Sequence, residues 1–146
     1  MAITTNAIAN SFKKELLEGK HDFTQTSGDQ FKLALYTSSA TLGASTTSFT
    51  TDNQVANSGQ YTSGGGKLAK GSQNTSVASG VAIVDFADRS FTGVTLTARG
   101  ALIYNTSNSN TAVAVLDFGG DKTATSGTFT IQFPAFTTSA AILRIS

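Results

Sequence analysis

Few side chains in this sequence of 146 residues could do acid–base or nucleophilic chemistry. The single histidine, His21, is followed by Asp22, and a neighbouring carboxylate can orient the ring of a general base. A hydrolase would also need a nucleophile, but no Gly-x-Ser-x-Gly turn marks any of the serines. We therefore expect His21 to be a surface residue or a residue at the carboxyl end of a helix, interacting with the helix dipole.

Two pairs of aspartates could form other kinds of site. Asp117 and Asp121 could share a calcium ion, because Ca²⁺ prefers carboxylate oxygens. Asp85 and Asp88 could provide the two carboxylates of a glycosidase. Neither pair comes with further ligands, and aspartates at strand ends commonly cap turns. We expect no metal site, no cofactor and no catalytic residue, and hence no enzyme.

The segment most similar to a phosphate-binding loop is Gly64-Gly65-Gly66 followed by Lys67. A phosphate loop needs glycine at its first position and Ser or Thr directly after the lysine. Those positions hold Tyr61 and Leu68 here. The glycines therefore predict a loop that is flexible or ordered by a partner.

The three tyrosines suggest a possible sugar-binding surface. Tyr36, Tyr61 and Tyr104 could stack against sugar rings, although the sequence has no tryptophan. A carbohydrate-binding module therefore remains an alternative function.

Composition excludes several classes of protein. Ser and Thr occupy 40 positions, whereas charged residues make up only 13% and the net charge is +1. A strongly basic patch for nucleic acid is therefore not expected, and the absence of cysteine excludes disulfides and thiolate chemistry. No apolar run is long enough to cross a membrane, and the opening residues do not resemble a signal peptide. The length suggests one domain, residues 1–146.

One helix is predicted near the start of the chain. Ile8, Phe12 and Leu16 recur every four residues, and Leu17 widens this apolar stripe. Thr5 or Asn6 could cap the first turn, and Gly19 could end the helix in the left-handed conformation. We predict a helix over about residues 6–18.

The rest of the chain has the alternation typical of β-strands. We predict strands at 31–36, 81–86, 94–97, 101–104, 112–118, 128–133 and 141–145. The third and fourth are either one strand bent at Gly100 or two short strands. The strand at 112–118 is the most apolar and is predicted to be central. Turns are predicted at 105–110 and between Gly119 and Gly127. The pattern predicts an all-β protein, an antiparallel jelly-roll-like sandwich or barrel with one N-terminal α-helix.

A long Ser/Thr/Gly-rich arm interrupts this pattern at about residues 38–79, between β core segments at 31–37 and 80–146. About forty structureless residues are unusual in a compact domain. Either short strands lie near 48–51 and 60–63, or the arm packs on another protein. Four residues of the arm are candidate partner contacts: Phe49, Tyr61, Lys67 and Leu68.

Much of the sequence resembles small virion structural proteins of tailed bacteriophages. The resemblance lies in the N-terminal stretch Ile3–Gly19, in Phe31–Leu42, in Ala98–Asn105 and in Ala112–Pro134, whereas residues 43–80 match only in composition. This resemblance implies a non-enzymatic capsid decoration, or cement, protein, with a tail or fibre component as an alternative.

Such a protein would be made in the host cytoplasm and located on the exterior of the capsid in the virion. Its implied partners are the major capsid protein and further copies of itself, with a trimer favoured by the three-fold positions of an icosahedral shell. Neither nucleic acid nor membrane is an expected partner.

Overall fold

The computed structural model describes residues 3–70 and 75–146. In this part of the chain, one helix and a series of strands follow each other as β1 (Ala7–Ile8), α1 (Asn10–Leu17), β2 (Phe31–Tyr36), β3 (Gly66–Lys67), β4 (Thr75–Ala78), β5 (Val81–Val84), β6 (Arg89–Asn105), β7 (Thr111–Ile131) and β8 (Leu143–Ile145).

The strands form two antiparallel sheets. The larger has the order β1-β7-β6-β2-β3 and the smaller the order β4-β5-β8. Neither sheet closes into a barrel within the described residues. The prediction of an all-β sandwich with one N-terminal helix is therefore confirmed. The prediction that the strand at 112–118 is central was wrong, because β6 occupies that position and β7 lies beside it.

A long β6–β7 hairpin dominates the larger sheet. β6 joins the two strands predicted at 94–97 and 101–104, and β7 joins those predicted at 112–118 and 128–133. The turn predicted between Gly119 and Gly127 was wrong, because β7 continues through this region. Between the pairs Gly100–Asp117 and Ala98–Lys122, β6 advances by two residues and β7 by five. The extra residues form a bulge, in which Gly119 has φ +78°.

The helix is shorter than predicted and begins later. Residues 7–8 pair with β7 as a strand, and the N-cap is Ala9, without a side-chain cap. Asn6 does not cap the helix; its Oδ1 accepts a hydrogen bond from the Asp117 backbone N–H at 2.6 Å. The backbone of residues 7–8 thus takes its partners from β7 and not from a helical turn. Leu17 was expected on the buried stripe but is 91% exposed.

The end of the helix is as predicted: Gly19 has φ +72°, and the backbone N–H groups of Gly19 and Lys20 donate to the last helical carbonyls. No helix in the described part of the chain is long and apolar enough to span a bilayer.

One apolar core connects the sheets, the helix and much of the segment predicted as an arm. It includes buried side chains from Ile3 to Leu143. Within residues 38–70, the side chains of Ala40, Leu42 and Val55 are buried in this core, and Ser48 forms a bridge with Thr111. Residues 75–78 form β4, and residues 71–74 of the predicted arm lie outside the described part. Residues 38–70 thus pack on the chain's own sheet.

Candidate functional site

A cleft of about 700 Å³ lies between β1, β7, the segment 132–134 that follows β7, and the segment 140–142. Its volume is within the range of ligand and peptide pockets. Apolar side chains that are buried or half-buried line it: Ile8, Leu116, Phe118, Phe129 and Ile142. Exposed polar side chains also line it: Lys122, Thr123, Thr128, Thr130 and Gln132. The cleft therefore combines an apolar lining with a rim that is mostly uncharged.

The bulge in β7 explains how one strand lines several sides of the cleft. Residues 114–118, before the bulge, and residues 122–124 and 128–131, after it, all line this space. Bulges bend the strand that contains them. Beyond the bulge, successive side chains of β7 point to opposite faces, so Thr128 and Thr130 are exposed whereas Phe129 and Ile131 are buried. The rings of Phe118 and Phe129 are 6.0 Å apart across the bend.

The outer edge of β7 is open beside this cleft. β1 pairs only with Val115 and Ala114 of β7. Next to this pairing, the Asn6 side chain accepts a hydrogen bond from the backbone N–H of Asp117. From residue 118 to residue 131, β7 pairs with β6 on one side and with no strand of the described residues on the other. An open edge presents backbone donors and acceptors that can pair with another extended chain.

The charge of Asp117, which lines the cleft, is paired. Arg99 forms an ion pair with Asp117, and both side chains are mostly buried, at 18% and 14% exposure. Asp117 Oδ1 also accepts the backbone N–H of Gly119 at 2.9 Å. The carboxylate of Asp117 is therefore held by Arg99 and by the Gly119 backbone. Among the described residues there is no group of three or more His, Cys, Asp or Glu placed to hold a metal ion.

None of the four residues predicted to contact a partner lines the cleft. Tyr61 and Leu68 are core residues, with 1% and 2% exposure. Phe49 is half-buried and stacks on Tyr104, with their ring centroids 4.7 Å apart. Lys67 is exposed in β3, directly opposite Lys32. Of the four, only Phe49 and Lys67 have surface that a partner could touch, and their role stays a prediction.

The proposed tyrosine platform for sugars was wrong, because all three rings are buried. Tyr36 donates its hydroxyl to the Thr50 carbonyl at 2.6 Å, and Tyr61 accepts the Leu35 N–H at 2.8 Å. The hydroxyl of Tyr104 donates to the Gly64 carbonyl. Burial raises the pKa of Tyr61 to about 12 and raises the pKa of Tyr36 further. These tyrosines hold loops onto the sheet.

His21 is buried, so the expectation of a surface residue was wrong, although it does lie just after the end of the helix. Its Nε2 lies 2.7 Å from Glu15 Oε2, and its Nδ1 lies 3.0 Å from Asn105 Nδ2. The Asn105 amide is oriented by its other contacts, because its Oδ1 accepts the Ser107 N–H and its Nδ2 donates to Asp29. Nδ2 is thus the donor to Nδ1, and Nε2 carries the ring proton and donates it to Glu15.

Asp22 does not orient His21. It accepts hydrogen bonds from Thr24 instead, and these lower the pKa of Asp22. The ring of His21 packs against Phe12, with centroids 4.8 Å apart. His21 therefore joins the end of the helix to β6, and its side chain is 0% exposed.

Asp85 and Asp88 lie outside the cleft. Asp88 Oδ1 accepts the Phe133 N–H at 2.8 Å. Burial raises the pKa of Asp85, the Phe86 backbone N–H offsets part of that effect, and Asp88 adds to it.

The triple glycine packs against the backbone of β2. A Cβ atom at Gly65, which has φ +89°, would lie only 1.9 Å from the Leu33 carbonyl oxygen. Gly65 is therefore required for this close approach, whereas a Cβ atom at Gly66 would instead meet the guanidinium group of Arg89.

Sequence patterns alone did not indicate the cleft. The alternation at 128–133 gave the exposed and buried faces correctly, but the facing wall depends on residues 6–8 pairing with 114–115. This pairing joins positions more than a hundred residues apart, and the same short segment also fits the helical stripe.

Comparisons with protein-family models, with curated proteins and with solved structures found no match to this chain.

Proposed function

We propose that this chain is a non-enzymatic virion structural protein that decorates the capsid and stabilises the shell by binding the major capsid protein. The sequence resemblance to small virion proteins of tailed bacteriophages supports this context. The observation that carries the proposal is the open outer edge of β7 beside an apolar cleft.

The proposed contact is addition of a strand. An extended segment of the capsid protein would continue the line of β1 along β7, and backbone hydrogen bonds would hold it. Its alternate side chains would pack on Leu116, Phe118 and Ile142. Apart from Lys122, the rim offers hydroxyl and amide groups, which suits a segment of low charge.

Repetition of this contact would stabilise a shell. A decoration protein binds at many equivalent positions, so a modest affinity at each site adds up over the particle. Because decoration needs no reacting group, the proposal assigns no catalytic residue and no cofactor.

A tail or fibre component is the alternative within the same class. The carbohydrate-binding alternative rested on the three tyrosines, and these are buried. We therefore do not propose it.

Counting copies in purified virions separates decoration from a tail role. Heads and tails of the phage that encodes the chain are separated, and the chain is quantified in each fraction by mass spectrometry. We expect the chain in the head fraction at roughly hundreds of copies per particle, as icosahedral repetition requires. Recovery with tails, at about a dozen copies or fewer, would contradict decoration.

A further inference from the structure

The outer edge of the smaller sheet has features that suit self-association. β4 forms this edge, and all four of its residues are exposed. Val77 is 72% exposed, an unusual value for a valine in a strand. It lies opposite Ala82, which lies opposite Ile145, itself 57% exposed. Opposite residues of an antiparallel ladder point to the same face, so these three form an exposed apolar row across the sheet.

The turn after β4 determines which backbone groups face outwards. Ser79 and Gly80 have φ +51° and +76° and form a two-residue hairpin loop between Ala78 and Val81. The pair that closes such a loop is hydrogen-bonded, and hydrogen-bonded pairs alternate with non-hydrogen-bonded ones. The N–H and C=O groups of Thr75 and Val77 therefore point away from β5, towards the open edge.

This edge also lacks the charges that protect other sheet edges. Lys67 lies in the edge strand β3, and Arg144 lies in the edge strand β8. Residues 75–84, by contrast, include no charged side chain. Natural sheets usually protect open edges with lysines, prolines or bulges. An uncharged edge can meet an identical edge without repulsion between like charges.

We propose that β4 pairs antiparallel with β4 of a second copy of this chain across a two-fold axis. With Ser76 on the axis, Thr75 and Val77 lie opposite Val77 and Thr75 of the second copy, and each of these pairs exchanges two backbone hydrogen bonds. The two smaller sheets then form one sheet of six strands. This contact gives a dimer, in contrast to the trimer expected from the sequence. It does not depend on the proposed capsid contact, which uses β7.

A single-cysteine experiment tests the register, because the natural chain has no cysteine. The Ser76→Cys thiols would lie on the axis in a non-hydrogen-bonded pair, with Cα atoms about 4.5 Å apart, within the range of disulfides. Ser45→Cys is the control, because Ser45 is exposed and distant from β4 in the sequence. We expect mild oxidation to convert most Ser76→Cys protein to a covalent dimer and to leave Ser45→Cys mostly monomeric.

The mass in solution tests the contact itself. Analytical ultracentrifugation of the natural chain should give twice 15.0 kDa. Val77→Lys should shift the protein to the monomer mass, because the two added charges would be diagonal neighbours on the same face of the joined sheet, whereas Thr51→Lys should leave the dimer intact. A natural chain that is monomeric, a trimer, or a dimer unaffected by Val77→Lys would overturn the proposal. Equal cross-linking at positions 45 and 76 would also overturn it.

Discussion

Asp85 shows how a single carboxylate can lower the stability of this fold. Its Oδ1 is buried and has no hydrogen-bond partner among the described residues. Burial raises the pKa of Asp85, so the folded chain takes up a proton at a higher pH than the unfolded chain does. The charged carboxylate therefore destabilises the folded state at pH values above this raised pKa. This loss of stability becomes smaller as the pH falls through the raised pKa of Asp85, because the carboxylate is then protonated in the folded chain.

Asp85→Asn should therefore stabilise the protein near neutral pH. The amide keeps an oxygen that can accept the Phe86 N–H but carries no charge to desolvate. We expect a higher melting temperature than that of the natural chain at about pH 7 and a much smaller difference at about pH 3, below the ordinary pKa of aspartate. Asp121→Asn, at an exposed position, is the control and should change little at either pH. A lower melting temperature for Asp85→Asn at neutral pH would refute this account of Asp85.

At the scale of helices and strands, a buried polar network around Asn105 connects the segment after the helix to the end of β6. Asn105 is 0% exposed, and its amide contacts His21, Asp29 and the Ser107 backbone. These hydrogen bonds join segments far apart in sequence. Each polar group left without a partner in such a place costs about 1–3 kcal/mol.

Asn105→Ala should lower the free energy of unfolding by about 2–4 kcal/mol, because it leaves His21 Nδ1 and the Ser107 N–H without their partners. Urea denaturation followed by circular dichroism measures the change. Asn10→Ala removes an exposed amide whose Oδ1 accepts a hydrogen bond from Lys13 Nζ at 3.5 Å, and should stay within about 0.5 kcal/mol of the natural chain. Equal losses for the two variants would show that the network around Asn105 has no special stabilising role.

The sequence predicted the type of most elements but not their connections. The apolar patterns correctly located β2 and the apolar parts of β6 and β7, although consecutive residues are buried there, so both faces of these segments are covered and not one as alternation predicts. It did not show that short strands merge into a long hairpin, since Gly119 fits a bulge as well as a turn. The start of the helix was missed for a related reason: Ile8 suits the apolar face of a helix and that of a strand, and only the distant β7 decides between them.

For the whole molecule, low charge and many hydroxyl groups suggested a protein that works through its surfaces. Composition could not show which surface, because the cleft and the β4 edge are formed by the packing of distant segments. The predicted arm contacts illustrate this: Tyr61 and Leu68 lie in a polar stretch of sequence and yet pack in the core. Two different surfaces remain for partners, the edge of β7 for the proposed capsid segment and the edge of β4 for a second copy.

The most direct test of the central claim is binding of cleft variants to phage heads that lack the chain. Thr128→Glu combined with Gln132→Glu places two charges on the rim at exposed positions, so the fold should persist. Thr51→Glu combined with Gln25→Glu adds the same charge at exposed positions that do not line the cleft. We predict that the cleft variant binds heads at least about tenfold more weakly than the natural chain, a loss of about 1.4 kcal/mol, and that the control binds normally. A cleft variant that fills the heads as fully and tightly as the natural chain would contradict the proposed capsid contact.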